Sequence, residues 1–264
     1  MIHHEIERLL KQKLHGIYPD REIASMAILI AEHITGYERV RLRLENDLKL
    51  SPAQLSVVFA MAERLAGYEP VQYVLGETEF YGLKLKVGPG VLIPRGETEE
   101  LVEWIVKAQG ARLKAQGKDE GKKGDRDEGK YKGKDEGKDK GETIRILDIG
   151  CGSGAIAIAL AKNLLDAEVI ASDISETALQ VTRENAGLNH VALSTTILNI
   201  LSPSDLVVSS PFDIIVSNPP YIPRAEMTGM DRHVIDFEPG RLFLCRMTNR
   251  SCFIAPLQNM LHHN

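Results

Sequence analysis

Glycine-rich or polar positions follow each of four apolar runs in the second half of the chain. The runs are typical of buried strands, and helical patterns separate them. Strands that alternate with helices form a doubly wound parallel sheet, which binds its ligands at the carboxyl ends of the strands. We therefore expect a single ligand site at one edge of such a sheet, formed by residues 150–154, Asp173, Asn199 and Asn218.

The first of these positions is a glycine turn. Gly150, Gly152 and Gly154 follow the apolar run at residues 144–149 and precede a helical pattern at residues 155–163. Glycines let the chain turn sharply and let a ligand lie against bare peptide groups, and the following helix offers free N–H groups. The spacing differs from the dinucleotide-binding pattern Gly-x-Gly-x-x-Gly, and another nucleotide-binding turn remains the alternative.

Two aspartates accompany this turn. Asp148 lies on the strand before the glycines, where we expect it to brace the turn. Asp173 ends the next strand, and its carboxylate can accept two hydrogen bonds from neighbouring hydroxyl groups of a ligand. The alternative for Asp173 is an N-cap of the following helix. Cys151 occupies a place between glycines that suits a small residue, and we do not interpret it as a nucleophile.

The last run ends in a rigid turn. Asn218 is followed by Pro219, Pro220 and Tyr221. The two prolines remove two backbone donors and restrict φ, so the polar side chain before them is held firmly. For a proline pair alone, a stiffened strand end without chemistry is the alternative interpretation.

Composition excludes several classes of protein. The chain has 264 residues and a net charge of −5, which argues against a large nucleic-acid-binding face. No apolar run approaches the roughly 20 residues of a membrane span, and the N-terminus lacks a signal-peptide pattern. Its three cysteines form no metal or disulfide pattern. We therefore expect a cytoplasmic protein that has no metal site and does not associate with a membrane.

The remaining elements position this edge. Residues 1–70 predict a helical bundle, and residues 71–94 a linker and β-hairpin whose turn lies at residues 88–90. A helix is expected at residues 95–109, and the main domain at residues 143–264. Between them, residues 110–142 are almost devoid of apolar side chains. From residue 118 to 142 there are nine basic and nine acidic residues, and we expect a disordered insertion.

Three segments together resemble a known family. With Asp148, the glycine turn is similar to motif I of class I S-adenosylmethionine (SAM) methyltransferases. The run from Asn218 to Tyr221 resembles the Asn-Pro-Pro-Tyr motif of methyltransferases that modify amide or exocyclic amino nitrogens. With residues 69–99, both motifs resemble the protein-(glutamine-N5) methyltransferases of peptide-chain release factors. One departure is Gly96, where the family usually has proline; this change removes no functional group.

The resemblance implies a fold, a cofactor and a partner. The fold is a class I methyltransferase sheet of the Rossmann-like α/β class, preceded by a helical domain that recognises the release factor. We also expect a monomer, and the net charge of −5 argues against a nucleic-acid partner. Asn218, Pro219, Pro220 and Tyr221 would bind the glutamine of a Gly-Gly-Gln motif and form the catalytic site. SAM would be held by Asp148, Gly150, Cys151, Gly152, Ser153, Gly154, Asp173, Asn199 and Asn218.

Two other functions stay open at this point. The Asn-Pro-Pro-Tyr motif also occurs in adenine-N6 DNA methyltransferases, which need a basic face that this acidic chain lacks. A SAM-binding relative without activity is the second alternative. After about residue 240 the tail no longer resembles the family, whereas one base out of register it can encode the family's continuation. We therefore expect a frameshift, an incomplete sheet and a poorly soluble product of weak or no activity.

Overall fold

The computed structural model of the chain describes residues 2–44, 48–119, 143–200, 211–218 and 237, with side chains as far as Gly110 in the second range. These residues form two compact units. One comprises residues 2–44, 48–78 and 87–93, and the other comprises residues 79–86, 94–119, 143–200 and 211–218. Within the described residues, none of the helices has the length and apolar character needed to cross a membrane.

The first unit is helical. Its core contains side chains that recur at helical spacing on one helix, Ile2, Ile6, Leu10 and Leu14, together with the fully buried Ile23, Ile30 and Leu65 of two others. The helix that contains Leu65 begins with a capping box, in which Ser51 and Gln54 satisfy each other's backbone N–H groups. The five helices are α1 (Ile2–Leu14), α2 (Asp20–Thr35), α3 (Arg39–Leu44), α4 (Pro52–Ala66) and α5 (Val71–Leu75).

A hairpin forms within residues 71–94, but it is not the predicted one, because its turn does not lie at residues 88–90. Strands β1 (Glu77–Phe80) and β2 (Leu83–Lys86) pair with each other, and only Tyr81 and Gly82 connect them. These two residues have φ values of 51° and 71°. Positive φ at both central residues gives a turn whose twist matches that of the flanking strands, so it outcompetes the expected turn at residues 88–90.

The second unit begins with a helix that is longer than predicted. Helix α6 spans Glu97–Asp119, whereas the sequence favoured an end near Gln109 and an insertion from residue 110. Residues 111–116 are mostly of types with high helix propensity, and a single glycine at position 110 does not end a helix that continues on both sides. The rest of the expected insertion, residues 120–142, lies outside the described residues.

A four-stranded parallel sheet forms the centre of the second unit. The strand order is β5-β4-β3-β6, and all three pairings are parallel, as predicted. Ile146 and Leu147 of the inner strand β3 are fully buried, as are Val102 and Ile158 on two of the helices. The elements are β3 (Ile144–Ile149), α7 (Ala155–Asn163), β4 (Ala167–Asp173), α8 (Glu176–Leu188), β5 (Ser194–Ile197) and β6 (Ile214–Ser217). The expected change of the tail after residue 240 lies outside the described residues.

Candidate active site

The carboxyl ends of the four strands lie level with one another. Ile149 of β3 is opposite Ser172 of β4 on one side and opposite Ser217 of β6 on the other. Asp173 of β4 is opposite Ile197 of β5. The glycine turn, Asp173, Asn199 and Asn218 therefore occupy the same edge of the sheet, which confirms the expected convergence. Strands β4 and β5 are added on one side of β3 and β6 on the other, and open α/β sheets bind ligands at such a switch point in strand order.

The glycine turn adopts a conformation that side chains disfavour. Gly150, Gly152 and Gly154 have φ values of 73°, 56° and 81°, all in the left-handed region. The backbone N–H groups of Gly150 and Cys151 both donate to the Ser172 carbonyl, at 2.8 and 2.9 Å. A Cβ at Gly150 or Gly152 would meet no atom within 4 Å. The turn is thus held by β4, and it leaves open space above bare peptide groups.

Asp173 joins the turn to the adjacent strand. One carboxylate oxygen accepts the N–H of Gly152 at 3.0 Å, and the other accepts the N–H of Ser175 at 2.9 Å. The N-cap of α8 is Ser175, whose hydroxyl accepts the N–H of Ala178, so Asp173 is not itself the cap. Each carboxylate oxygen has two lone pairs, and one on each oxygen remains available to a ligand hydroxyl.

Asp148 was expected to brace the glycine turn, but its side chain instead braces the start of the helix that follows the turn. Its Oδ2 accepts the N–H of Ala157 in the first turn of α7 at 3.1 Å. The other oxygen, Oδ1, is buried and has no hydrogen-bond partner among the described residues. Burial raises the pKa of Asp148 from 3.8 to about 7; the bond from Ala157 lowers the pKa and the charge of Asp173 raises it. The carboxyl group is therefore poised to change its ionisation when a cation approaches.

Two polar residues of α8, missed in the sequence, hold the turn from behind. Thr182 donates its hydroxyl to the Gly152 carbonyl at 3.1 Å and lies 3.4 Å from the sulfur of Cys151. Asn185 donates to the Ser153 carbonyl at 2.9 Å. Both are completely buried, and polar side chains on the apolar face of a helix are the signal that could have revealed them. Burial also raises the pKa of the Cys151 thiol, which stays protonated and is not a nucleophile.

Asn218 follows directly on β6 and is partly buried. Its side-chain N–H group donates to the hydroxyl oxygen of Thr98, the second residue of α6, at 2.9 Å. Next to it, the Ser217 hydroxyl donates to the Ile149 carbonyl at 2.8 Å, which ties β6 to the end of β3. Thr98, like Thr182 and Asn185, is a residue of the site that the sequence did not reveal. The expected site residues Pro219, Pro220 and Tyr221 lie outside the described residues.

Comparison with known proteins gives consistent matches along the chain. Residues 138–235 match the model of the methyltransferase small domain, and residues 5–76 match that of the PrmC N-terminal domain. A release factor glutamine methyltransferase of Flavobacterium psychrophilum is 41% identical over 228 residues, which cover 86% of this chain and 70% of the relative. The enzyme of the same description from Bacteroides thetaiotaomicron is 36% identical and covers 89% and 73%. The human MTRF1L release factor glutamine methyltransferase is 34% identical and covers 65% and 46%.

Proposed function

The chain belongs to the family of release factor glutamine methyltransferases, and we propose that it methylates the side-chain amide nitrogen of a glutamine in a peptide-chain release factor. The methyl donor is SAM, and the proposed glutamine is that of a Gly-Gly-Gln motif. The observation that carries the proposal is the placement of an open glycine turn and Asn218 at adjacent strand ends of one sheet. A cofactor on the turn and an amide at Asn218 would then be neighbours.

The described residues fit SAM in three respects. Gly150 and Gly152 leave bare peptide groups under open space, where the cofactor's main body can lie. Asp173 keeps acceptor capacity for ribose hydroxyls, and Asp148 has a buried carboxyl oxygen without a partner, which suits an ammonium group. When bound, SAM supplies a methyl group on a positively charged sulfur. Asn199, two residues beyond β5, is proposed to contact the adenine end.

Asn218 is proposed to orient the substrate nitrogen. A glutamine amide is a weak nucleophile because its lone pair is delocalised into the carbonyl group. The carbonyl oxygen of Asn218 can accept one N–H of that amide, and we propose that the backbone carbonyl of Pro219 accepts the other. Both bonds hold the nitrogen in one place and favour the electron-rich, pyramidal form that attacks. Tyr221 is proposed to pack against the amide plane.

We also propose a cellular setting for this reaction. Release factors act on ribosomes, so the proposed location is the cytoplasm, and the helical bundle at residues 1–70 is the proposed contact with the release factor. The acidic composition of the chain favours a protein partner over a nucleic acid. We propose that the protein acts as a monomer.

Replacement of Asn218 by alanine tests the proposal. Asn218→Ala should lower kcat for methylation of a purified release factor by about 100- to 1000-fold, because one preorganised polar contact in the transition state is lost. SAM affinity, measured by calorimetry, should stay within a few-fold of the wild-type value, since the turn and Asp173 are unchanged.

The matched control is Asn163→Ala. Among the described residues, the side-chain N–H group of Asn163 bonds only the Ala159 carbonyl of its own helix, at the end remote from the glycine turn. This variant should methylate the release factor at the wild-type rate. Near-normal turnover in Asn218→Ala would remove Asn218 from the proposed role, and a release factor whose glutamine is replaced should accept no methyl group.

A further inference from the structure

We propose that Thr98 is a positioning residue that sets the orientation of the Asn218 side-chain amide. The hydroxyl oxygen of Thr98 accepts a hydrogen bond from the Asn218 N–H group at 2.9 Å, although 120 residues separate the two in the chain. The inference rests on the proposed function, because it gives Asn218 the acceptor role described above. It adds a residue on another element to that site.

The orientation matters because the two ends of an asparagine amide have opposite properties. The nitrogen end only donates hydrogen bonds, and the oxygen end only accepts them. The terminal torsion of asparagine is broad and roughly two-fold, so packing alone distinguishes the two ends poorly. With its nitrogen end bound to Thr98, Asn218 keeps its oxygen end as the acceptor for a substrate N–H. In the opposite orientation, the Asn218 N–H group would face the N–H group of the substrate amide, and no hydrogen bond could form between these two donors.

Thr98 is itself held in place. It lies in the first turn of α6 and is 9% exposed. Its backbone N–H donates to the Arg95 carbonyl at 3.0 Å, and the carboxylate of the next residue, Glu99, accepts the N–H of Tyr81 at 2.8 Å. One turn further along, Val102 is fully buried in the core. The hydroxyl group therefore stands on a helix start that is fixed on the hairpin turn and on the core.

The same contact explains why the acceptor on α6 is a hydroxyl. Threonine offers an oxygen at Cβ, which reaches the Asn218 amide while its methyl group fills space of the kind that a valine methyl would fill. Thr98→Val therefore deletes the hydrogen bond with little change in volume, and Thr98→Ser keeps the bond but loses the methyl group. The two substitutions separate hydrogen bonding from packing.

The kinetic test uses the full chain with a release factor as substrate. Thr98→Val should lower kcat about tenfold, the worth of one net hydrogen bond, and leave the KM for SAM unchanged. Thr98→Ser should restore kcat, which a purely structural role of the side chain would not predict. The matched control is Thr195→Val on β5, the strand at the opposite edge of the sheet from β6. It removes a hydroxyl that accepts one bond from Arg183, and it should leave kcat unchanged.

A second measurement reads the amide directly. In a ¹⁵N spectrum, the Asn218 side-chain pair is identified by its absence in Asn218→Asp. One of its two protons should exchange with water about tenfold more slowly in the wild type and Thr98→Ser than in Thr98→Val. Equal exchange in all three proteins, or equal kcat in the wild type and Thr98→Val, would overturn the inference. If the wild-type chain transfers no methyl group, the proposed function is wrong, and the exchange measurement alone decides whether Thr98 orients Asn218.

Discussion

At the scale of one residue, the buried carboxyl group of Asp148 lowers the stability of the folded chain when it is ionised. Its carboxyl group is fully buried beside Asp173, and it receives a single hydrogen bond, from Ala157. Ionisation in such a place is costly, because burial removes water from the charge and only one donor replaces it. A bound ammonium group would offset that cost. Burial of this carboxylate therefore favours a site that binds a cation.

The pH dependence of folding should report this cost. The pKa of Asp148 is raised from 3.8 to about 7 in the folded chain, so the folded state holds its proton between these values while the unfolded state has lost it. Its contribution to stability is therefore fully present below about pH 3.8 and is lost as the pH rises through about 7. Asp148→Asn cannot ionise and should be more stable than the wild type at pH 8, by up to about 4 kcal/mol.

Urea unfolding of both proteins at pH 5 and pH 8 checks this expectation. The stability difference between the variant and the wild type should grow from pH 5 to pH 8. A difference that stays constant between the two pH values would show that Asp148 keeps an ordinary pKa in the folded chain. Added SAM should bind the wild type more tightly than Asp148→Asn, because only the carboxylate carries a charge.

Helix α8 acts at the scale of an element by joining the hairpin to the glycine turn. The side-chain amide of Asn185 accepts the N–H of Lys86 at 2.6 Å and donates to the carbonyl of the same residue at 3.0 Å, as a neighbouring strand would. The same amide nitrogen also donates to the Ser153 carbonyl. Asn189, at the end of the helix, donates to the Lys84 carbonyl at 2.8 Å. Strand β2 and the turn therefore share one support.

Close packing between α8 and the turn explains the last glycine. A Cβ at Gly154 would lie 2.8 Å from the Thr182 methyl carbon and 3.0 Å from Ile158, and its φ is +81°. Gly154→Ala should therefore destabilise the protein through both overpacking and backbone strain. Gly150 is the matched control, since its φ is +73° but a Cβ there would meet nothing within 4 Å.

The two variants separate these effects. Gly150→Ala should cost on the order of 1–2 kcal/mol from strain alone. Gly154→Ala should cost roughly 1–3 kcal/mol more, because packed side chains must move. Unfolding free energies in urea measure both. If both variants lose the same unfolding free energy, the side chains next to Gly154 can move without an energetic penalty, and α8 does not hold the turn in place.

At the scale of the whole molecule, the second unit is interrupted between α6 and β3. Helix α6 ends at Asp119, and β3 begins at Ile144. Residues 120–142 contain almost exclusively lysine, arginine, aspartate, glutamate and glycine, so they offer very little apolar surface for a core. We expect that this segment does not contribute to the fold of the unit.

Deletion of the segment tests that expectation. A chain in which a short glycine-serine linker replaces residues 120–142 should bind SAM within about twofold of the wild-type affinity, since loop length changes the closure entropy only slowly. Limited proteolysis of the wild type should cut within these residues first. A deletion that extends to residue 111 also removes the last part of α6 and serves for comparison. A large loss of affinity in the shorter deletion would show that residues 120–142 pack on the unit.

The sequence alone determined the features that depend on neighbouring residues. The apolar run at residues 144–149 predicted β3, and the glycine spacing predicted the turn between β3 and α7. Parallel alternation then placed Asp173 and Asn218 at one edge. These predictions succeed because backbone preference and burial period are properties of a few consecutive residues, and because parallel strands bring their carboxyl ends to the same side.

Only the tertiary structure decided the features that depend on distant residues. The bond between Thr98 and Asn218 spans 120 positions, and that between Asn185 and Lys86 spans 99. Neither leaves a local pattern, because each polar side chain receives its partner only when its helix packs against the sheet. The hairpin turn at Tyr81 and the end of α6 were likewise misplaced, since several local signals competed there. Pairing of β1 with β2 selected the turn at Tyr81, and the high helix propensity of residues 111–116 extended α6 beyond Gly110.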